Sequence, residues 1–309
     1  MDNSTEIVFV LQGLNETMST KRAYFVVTLL VYLFTISVNL TLIVTIILEK
    51  TLHEPMLLFL CNLCVNGIFG ASTFYPKILV DLLADLRVIS YIACLVQMFV
   101  IYSYVFCELT TLAVMAYDRY VAICKPLNYH SIITPWKVMK LLLFTWLLSL
   151  CESGIAMGLV TRLPLCGFKI AKMYCTNWAV VKLSCIDPTV NNIYGYILML
   201  SHILQSALIL ISYVNIIKAS VRSQEERSKF MQTCLPHLIS LTNFLMAIVF
   251  DIMYARYGSH SRLQPLRNFL ALEYLVVPPI LNPLIYGLKL NQIRRIIFRT
   301  CSRKSDALE

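Results

Sequence analysis

A bundle of seven membrane-spanning α-helices is the fold class this sequence predicts, and three observations predict it. The 309 residues are 58% hydrophobic and only 14% charged, where a soluble domain of this size carries roughly 25% charged residues. Apolar stretches long enough to cross the ~30 Å hydrocarbon core, about 20 residues each, recur near 23–48, 56–83, 91–123, 136–159, 193–217, 230–254 and 269–288. The basic residues behind the net charge of +9 sit in short segments between those runs. They read as topology determinants and headgroup contacts, not as the single basic face that nucleic acid requires.

Taken in order, residues 1–20 are polar and slightly acidic. They lack the basic n-region, apolar h-region and small-residue cleavage site of a removable signal peptide, so the first run is expected to do the targeting. Asn3-Ser4-Thr5 and Asn15-Glu16-Thr17 are N-glycan acceptors if this tail is outside, while the sequon at Asn39 lies mid-membrane and cannot be used. The expected organisation is an extracellular glycosylated tail over 1–22, the seven-helix domain over 23–290 and a cytoplasmic tail over 291–309.

An odd number of spans puts the termini on opposite sides, and the Lys/Arg bias decides which. Arg294, Arg295, Arg299, Arg303 and Lys304 crowd the end of the seventh run, and Lys218, Arg222, Arg227 and Lys229 fill the segment between the fifth and sixth. Those faces are expected to be cytoplasmic. The flanks of the first run disagree, since Lys21 and Arg22 outnumber Lys50, so the orientation rests on the later segments and the sequons.

Pro55 suits the first turn of the second helix, where its missing N–H is no loss. The third run ends in Met115-Ala-Tyr-Asp-Arg-Tyr-Val-Ala-Ile-Cys124, followed by Lys125-Pro-Leu-Asn-Tyr129. A charged group costs about 2.5 to 3.5 kcal/mol at mid-bilayer, so membrane acids and bases are usually paired, interior-facing and functional. Arg119 alone could snorkel to headgroups, but Asp118 gains nothing by reaching toward anionic lipid. Pro236 is expected to bend the sixth helix, and Asn282-Pro283 to interrupt the seventh inside a bundle that can satisfy the freed groups.

The cysteines separate into two populations. Cys94 starts the third run on its outer side, and Cys166, Cys175 and Cys185 fall in the long segment between the fourth and fifth. Four cysteines in an oxidising compartment allow three pairings, and spacing does not choose among them. Cys61, Cys64, Cys107, Cys124, Cys151 and Cys234 lie in or beside helices and read as small apolar packers.

A ligand pocket is placed by helical spacing. Tyr102, Val105, Phe106 and Leu109 form one stripe on the third helix, and Tyr102 lies seventeen residues, or about 25 Å at ~1.5 Å per residue, outward of Arg119. The matching faces are Tyr194, Leu198, Ser201, His202 and Gln205 on the fifth helix, and Phe244, Ile248, Asp251, Ile252 and Arg256 on the sixth, with Leu272 from the seventh. A mostly apolar lining with a few polar anchors is the usual make-up of a small-molecule site. The other reading of these positions is ordinary interhelical core. Arg256, at the outer mouth, is either a fork for a carboxylate-bearing ligand or a headgroup anchor or partner for Glu273.

The string MAYDRYVAICKPLNY resembles, almost verbatim, the inner end of helix 3 in the odorant receptors, a branch of the rhodopsin-like G-protein-coupled receptors. The resemblance runs from Leu52 to Tyr286 through Leu52-His-Glu-Pro-Met56, the string from Lys229 to Leu238 containing Thr-Cys-Leu-Pro-His237, and Pro279-Ile-Leu-Asn-Pro-Leu-Ile-Tyr286. It implies a receptor that binds small odorants and activates a stimulatory heterotrimeric G protein, raising cyclic AMP. It further implies a multi-pass protein of the plasma membrane, in sensory-neuron cilia, with the N-terminus outside and no cofactor. By the same resemblance Asp118 holds Arg119 at rest, and activation frees Arg119 toward Tyr213 as the sixth helix swings outward. Tyr120, His237, Asn282, Pro283 and Tyr286 complete that switch. The implied disulfides are Cys94 with Cys175 and Cys166 with Cys185. A short amphipathic helix is expected after the seventh span, with Cys301 a palmitoylation candidate.

Two positions depart from the family. Gly67 stands where most relatives carry an acid that helps Glu108 hold a sodium ion, so half of that metal site is kept; Glu108 otherwise reads as a hydrogen-bonded acid. Leu245 stands where most relatives have Tyr. The Asn62-Leu63-Cys64 run with His53-Glu54-Pro55 looks most like the fish-type branch. Other function classes fit less well. A transporter commonly shows internal repeats and paired interrupted helices, and neither is found. An enzyme needs a catalytic set, and five scattered histidines with nine glycines supply none. A non-olfactory rhodopsin-like chemoreceptor remains the alternative.

Overall fold

The computed structural model describes residues 7–12, 18–84, 86–220, 224–257 and 264–289. Seven long helices carry the apolar runs: α1 (Met18–Leu48), α2 (Pro55–Leu83), α3 (Tyr91–Cys124), α5 (Pro135–Val160), α7 (Thr189–Ser220), α8 (Gln224–Tyr257) and α9 (Gln264–Lys289). Two short helices, α4 (Tyr129–Ile132) and α6 (Asn177–Val181), lie in the connections. Among the described residues α1, α2, α3, α5 and α7 are long and apolar enough to cross a membrane, and α8 and α9 contribute the shorter apolar segments Leu238–Met253 and Glu273–Ile285.

Local chemistry sets the starts. Pro55 and Pro135 open α2 and α5 at positions whose N–H has no helical acceptor. The Ser90 hydroxyl accepts from Ala93 N at 3.3 Å at the start of α3, and Thr134 accepts from Lys137 N at 3.3 Å beside Pro135. The helices are apolar on both faces. Ile193, Ile197, Leu200, Leu204 and Leu208 of α7 all stand exposed on the outside of the bundle, the pattern expected where the solvent is hydrocarbon.

Helix α3 is the axis of the bundle, packed against α2, α5 and α7, while α9 packs against α1, α2 and α8. Small polar side chains tie these contacts together, since hydrocarbon offers buried polar groups no other partner. Trp146 Nε1 donates to Asn62 Oδ1 at 2.7 Å, Asn62 Nδ2 donates to Thr111 Oγ1 at 2.9 Å, and the hydroxyls of Ser103 and Ser153 meet at 2.6 Å. Helix α9 needs most support, because Pro278, Pro279 and Pro283 interrupt it. A proline at position i leaves the carbonyl at i−4 without its helical donor. Two of those orphaned carbonyls are taken up by neighbours: Tyr104 Oη donates to Tyr274 O at 2.9 Å, and Asn39 Nδ2 donates to Pro279 O at 2.7 Å.

The outer end carries a feature absent from the all-helical expectation. Strand β1 (Val8–Leu11), from the N-terminal tail, lies between β2 (Val88–Ser90) and β3 (Lys169–Ile170), antiparallel to the first and parallel to the second. Its buried Phe9 and Leu11 join Ile89, Cys94, Met98 and Ile170 in an apolar cluster beneath the sheet. Strands this short leave no alternation to detect. The start of α8 also lies ahead of the expected 230, because Gln224-Glu-Glu-Arg-Ser-Lys229 continues the helix on polar residues that hydropathy does not register.

Candidate functional site

At the inner end of α3, Asp118 is buried and Arg119 approaches it with Nη2 at 3.2 Å from Oδ2. The contact is electrostatic, since neither Asp118 Oδ2 nor Arg119 Nε reaches hydrogen-bond geometry among the described residues. The second holder of Asp118 is Tyr129 on α4, whose hydroxyl donates to Oδ1 at 2.8 Å. Burial, and then the Asp118 charge it faces, push the Tyr129 hydroxyl well above its usual range, so it stays a donor at neutral pH. Tyr129 closes the Lys125-Pro-Leu-Asn-Tyr129 string, where nothing in the sequence marks it as a partner of Asp118. Tyr120 is half-buried against the core, and Tyr213 is buried on α7 within the same cluster.

In the middle of the bundle Glu108 is fully enclosed, and its two oxygens are both engaged. Asn66 Nδ2 donates to Oε2 at 2.9 Å and Asn282 Nδ2 to Oε1 at 2.6 Å, so one carboxylate joins α2, α3 and α9. Pro283 follows directly and is buried. Glu108 is thus the hydrogen-bonded acid that the sequence offers as the other reading of the half sodium site. A Cβ at Gly67 would stand 3.2 Å from Pro279 Cβ, a tight contact to which Pro279 would have to yield by a few tenths of an ångström. Among the described residues the amide oxygens of Asn39, Asn66 and Asn282 accept no hydrogen bond.

Toward the outer end Tyr102 meets Phe106 edge to face at 5.6 Å between centroids, and Phe106 lies 4.6 Å from the His202 ring. This brings the α3 stripe against α7. Among the described residues neither His202 nitrogen reaches hydrogen-bond geometry, and Nε2 stands 3.9 Å from Glu152 Oε2 on α5. Tyr194 Oη donates to the Glu152 backbone carbonyl at 2.9 Å, and Leu198, Ser201 and Gln205 are half-buried along the same helix. Leu109 is buried, and Val105 and Ile248 pack on the main core together with buried Phe244. Ile252 is half-buried on α8.

Asp251 differs from the expectation of an open polar anchor. Lys172, from the segment between α5 and α7, donates to both its oxygens at 2.7 and 2.9 Å. Lys172 carried no signal in the sequence, because which loop residue lies over which helix depends on the disulfides. The side chains of Arg256, Leu272, His237 and Tyr286 lie outside the described residues, as do Asn3, Asn15 and Cys301 and the whole expected amphipathic helix.

The outer loop is bonded twice. Cys94 and Cys175 join α3 to the loop with Cα atoms 5.5 Å apart, and Cys166 and Cys185 close a hairpin within it at 5.2 Å. Tyr174, beside Cys175, shares a 2.7 Å hydrogen bond with Tyr274 of α9, hydroxyl to hydroxyl. No group of three or more potential metal-binding side chains gathers among the described residues.

Comparison with known proteins agrees with this architecture. The olfactory receptor family model matches residues 28–304. Human olfactory receptor 8I2 is 35% identical over 308 residues, covering 98% of both chains. Human olfactory receptor 51E1 is 37% identical over 271 residues, covering 87% of this chain and 85% of its own. The crystal structure of squid rhodopsin superposes with a TM-score of 0.74 at 16% identity, covering 94% of this chain and 87% of that one; at that identity the likeness speaks for the fold. The chain belongs to the olfactory receptor family: it is a multi-pass membrane receptor for small odorant molecules that acts through a heterotrimeric G protein, and not an enzyme.

Proposed function

We propose that odorants bind between α3, α7 and α8, against Tyr102, Phe106 and His202, and that occupancy is relayed to the Asp118–Arg119 pair, where a stimulatory G protein engages and cyclic AMP rises. The observation that carries this reading is the aromatic cluster itself: Phe106 and His202 in contact at 4.6 Å, with both His202 nitrogens outside hydrogen-bond geometry among the described residues, in the outer part of α3 and beneath a loop fastened to it at Cys94. An apolar wall with a few convergent polar atoms suits a small amphiphilic molecule.

In this reading a ligand favours the active bundle only by its differential affinity for the two states. The inner pair and its Tyr129 partner are the restraint that must yield. The working location is the plasma membrane, in sensory-neuron cilia, with the basic segments inside and the glycan acceptors Asn3 and Asn15 outside. The fish-type branch rests on the Asn62-Leu63-Cys64 and His53-Glu54-Pro55 residues alone. The test is an odorant panel on transfected cells with a cyclic AMP readout, repeated with Tyr102→Ala. A surface-expressed parent that answers ligand without any cyclic AMP change contradicts the stimulatory coupling. An unchanged half-maximal concentration in Tyr102→Ala moves the pocket elsewhere.

A further inference from the structure

The Lys172–Asp251 pair stands out among the charges of this chain. Lys172 is 8% exposed, its ammonium bridges both Asp251 oxygens, and the two side chains are 10% and 12% exposed. The pair joins elements with no covalent reason to meet: the loop three residues before Cys175, and the outer part of α8 one turn beyond Ile248. Its surroundings are those of the proposed pocket. Lys172 Nζ stands 5.7 Å from the Tyr174 ring centre. Tyr174 shares a hydrogen bond with Tyr274, burial and its neighbours keep its hydroxyl well above its usual range, and Tyr102 packs against the apolar cluster that holds Cys175, three residues after Lys172. Tyr102 in turn meets Phe106 edge to face.

We propose that Lys172 and Asp251 form a charge-neutral lid over the odorant pocket that sets its ligand class, admitting neutral odorants beneath the intact pair and discriminating against ligands of either single charge. The inference rests on the pocket reading above and deepens it. The reasoning is one of charge balance in a poorly hydrated site. A neutral ligand leaves the pair untouched. An anion can be held by Lys172 only by displacing or crowding Asp251, and an ammonium can be held by Asp251 only by displacing Lys172. Either exchange strands one buried charge, which is the costly state. Removing one partner reverses the preference: a lone Lys172 becomes a receptor for carboxylates, and a lone Asp251 becomes a receptor for amines.

The experiment uses the full-length receptor and straight-chain alcohols, carboxylates and primary amines of matched length as probes, with signalling normalised to surface expression. Asp251→Asn is expected to lower the half-maximal concentration for carboxylates relative to alcohols by about tenfold, and Lys172→Met to do the same for amines. The reversed pair, Lys172→Asp with Asp251→Lys, keeps neutrality and is expected to restore the parent's order of preference, which separates charge selection from a simple loss of folding. The lid is overturned if both single variants keep the parent's order, if both move in the same direction, or if parent and variants are silent to all three probe classes. In that last case a parent that answers any odorant outside the probe set leaves the receptor reading standing.

Discussion

The two ends of the bundle are held shut by different physics. The outer end is fastened by two disulfides, a three-stranded sheet that includes the N-terminal tail, and the Lys172–Asp251 bridge. The inner end, among the described residues, is held at Asp118 by one ion pair without hydrogen-bond geometry and one tyrosine hydrogen bond. A covalent closure does not open on the time scale of signalling, whereas a pair of noncovalent contacts does. Under the proposed function, the fold thus fixes the shape of the ligand end and leaves the movable element at the end assigned to the G protein.

The largest effect expected from breaking this contrast is at Cys94–Cys175. That bond spans 81 residues of sequence and the other spans 19, and loop-closure entropy alone gives about 4.5 kcal/mol for the longer and about 3 kcal/mol for the shorter. Cys175→Ser is therefore expected to lower the melting temperature of purified receptor further than Cys185→Ser does. The opposite order would mean that the hairpin, not the tie to α3, organises the outer end.

Next comes Arg119→Ala. Under the proposed mechanism it abolishes ligand-driven cyclic AMP while surface expression persists, because Arg119 is spent on the switch and contributes little to the core. An expressed Arg119→Ala receptor that signals normally would remove Arg119 from the mechanism.

A smaller loss is expected where α9 is repaired. Tyr104→Phe removes the donor to the carbonyl that Pro278 orphans, and a buried acceptor left without a partner costs about 1 to 3 kcal/mol. Asn39→Leu does the same at Pro279 O. Thermal unfolding of each variant should fall by a few degrees, with the double variant close to additive, since the two bonds lie on different helices. Full stability in both would mean that α9 is supported by packing alone.

These ties show how far the sequence was legible. Seven spans follow from hydropathy because that signal is a property of each segment by itself. The prolines of α9 are visible in the same way, but which side chains satisfy their orphaned carbonyls is not, because Tyr104 and Asn39 reach Tyr274 and Pro279 across 170 and 240 residues. Glu108 was legible as an acid hydrogen-bonded to polar groups of the second or seventh helix, and Asn66 and Asn282 are those groups; the crowding of Gly67 by Pro279 is a fact of packing that spacing does not carry. Asp251 was found by helical spacing, while Lys172 was not, since a loop residue has no periodicity and is placed here by the disulfide three residues on. Tyr129 stood inside the quoted motif but eleven residues from Asp118, and only the turn into α4 brings its hydroxyl back to the carboxylate.

Tyr129 supplies the smallest and most discriminating test of the contrast. Its hydroxyl is one of the two groups holding Asp118 at rest, and Tyr129→Phe removes that bond while keeping the ring. A hydrogen bond to a charged acceptor is worth about 1.5 to 3 kcal/mol, but α4 lies in a connecting segment where water can replace part of it. The net weakening of the resting state is then about 0.5 to 1 kcal/mol, which raises ligand-free signalling by roughly two- to fivefold. The quantity to measure is basal cyclic AMP per receptor at the surface. Combining Tyr129→Phe with Arg119→Ala should erase the rise, because the freed Asp118 matters only through Arg119. A rise that survives in the double variant would show that Tyr129 restrains the bundle independently of Arg119, through α4 and its loop, and would remove the Asp118–Arg119 pair from the inner restraint.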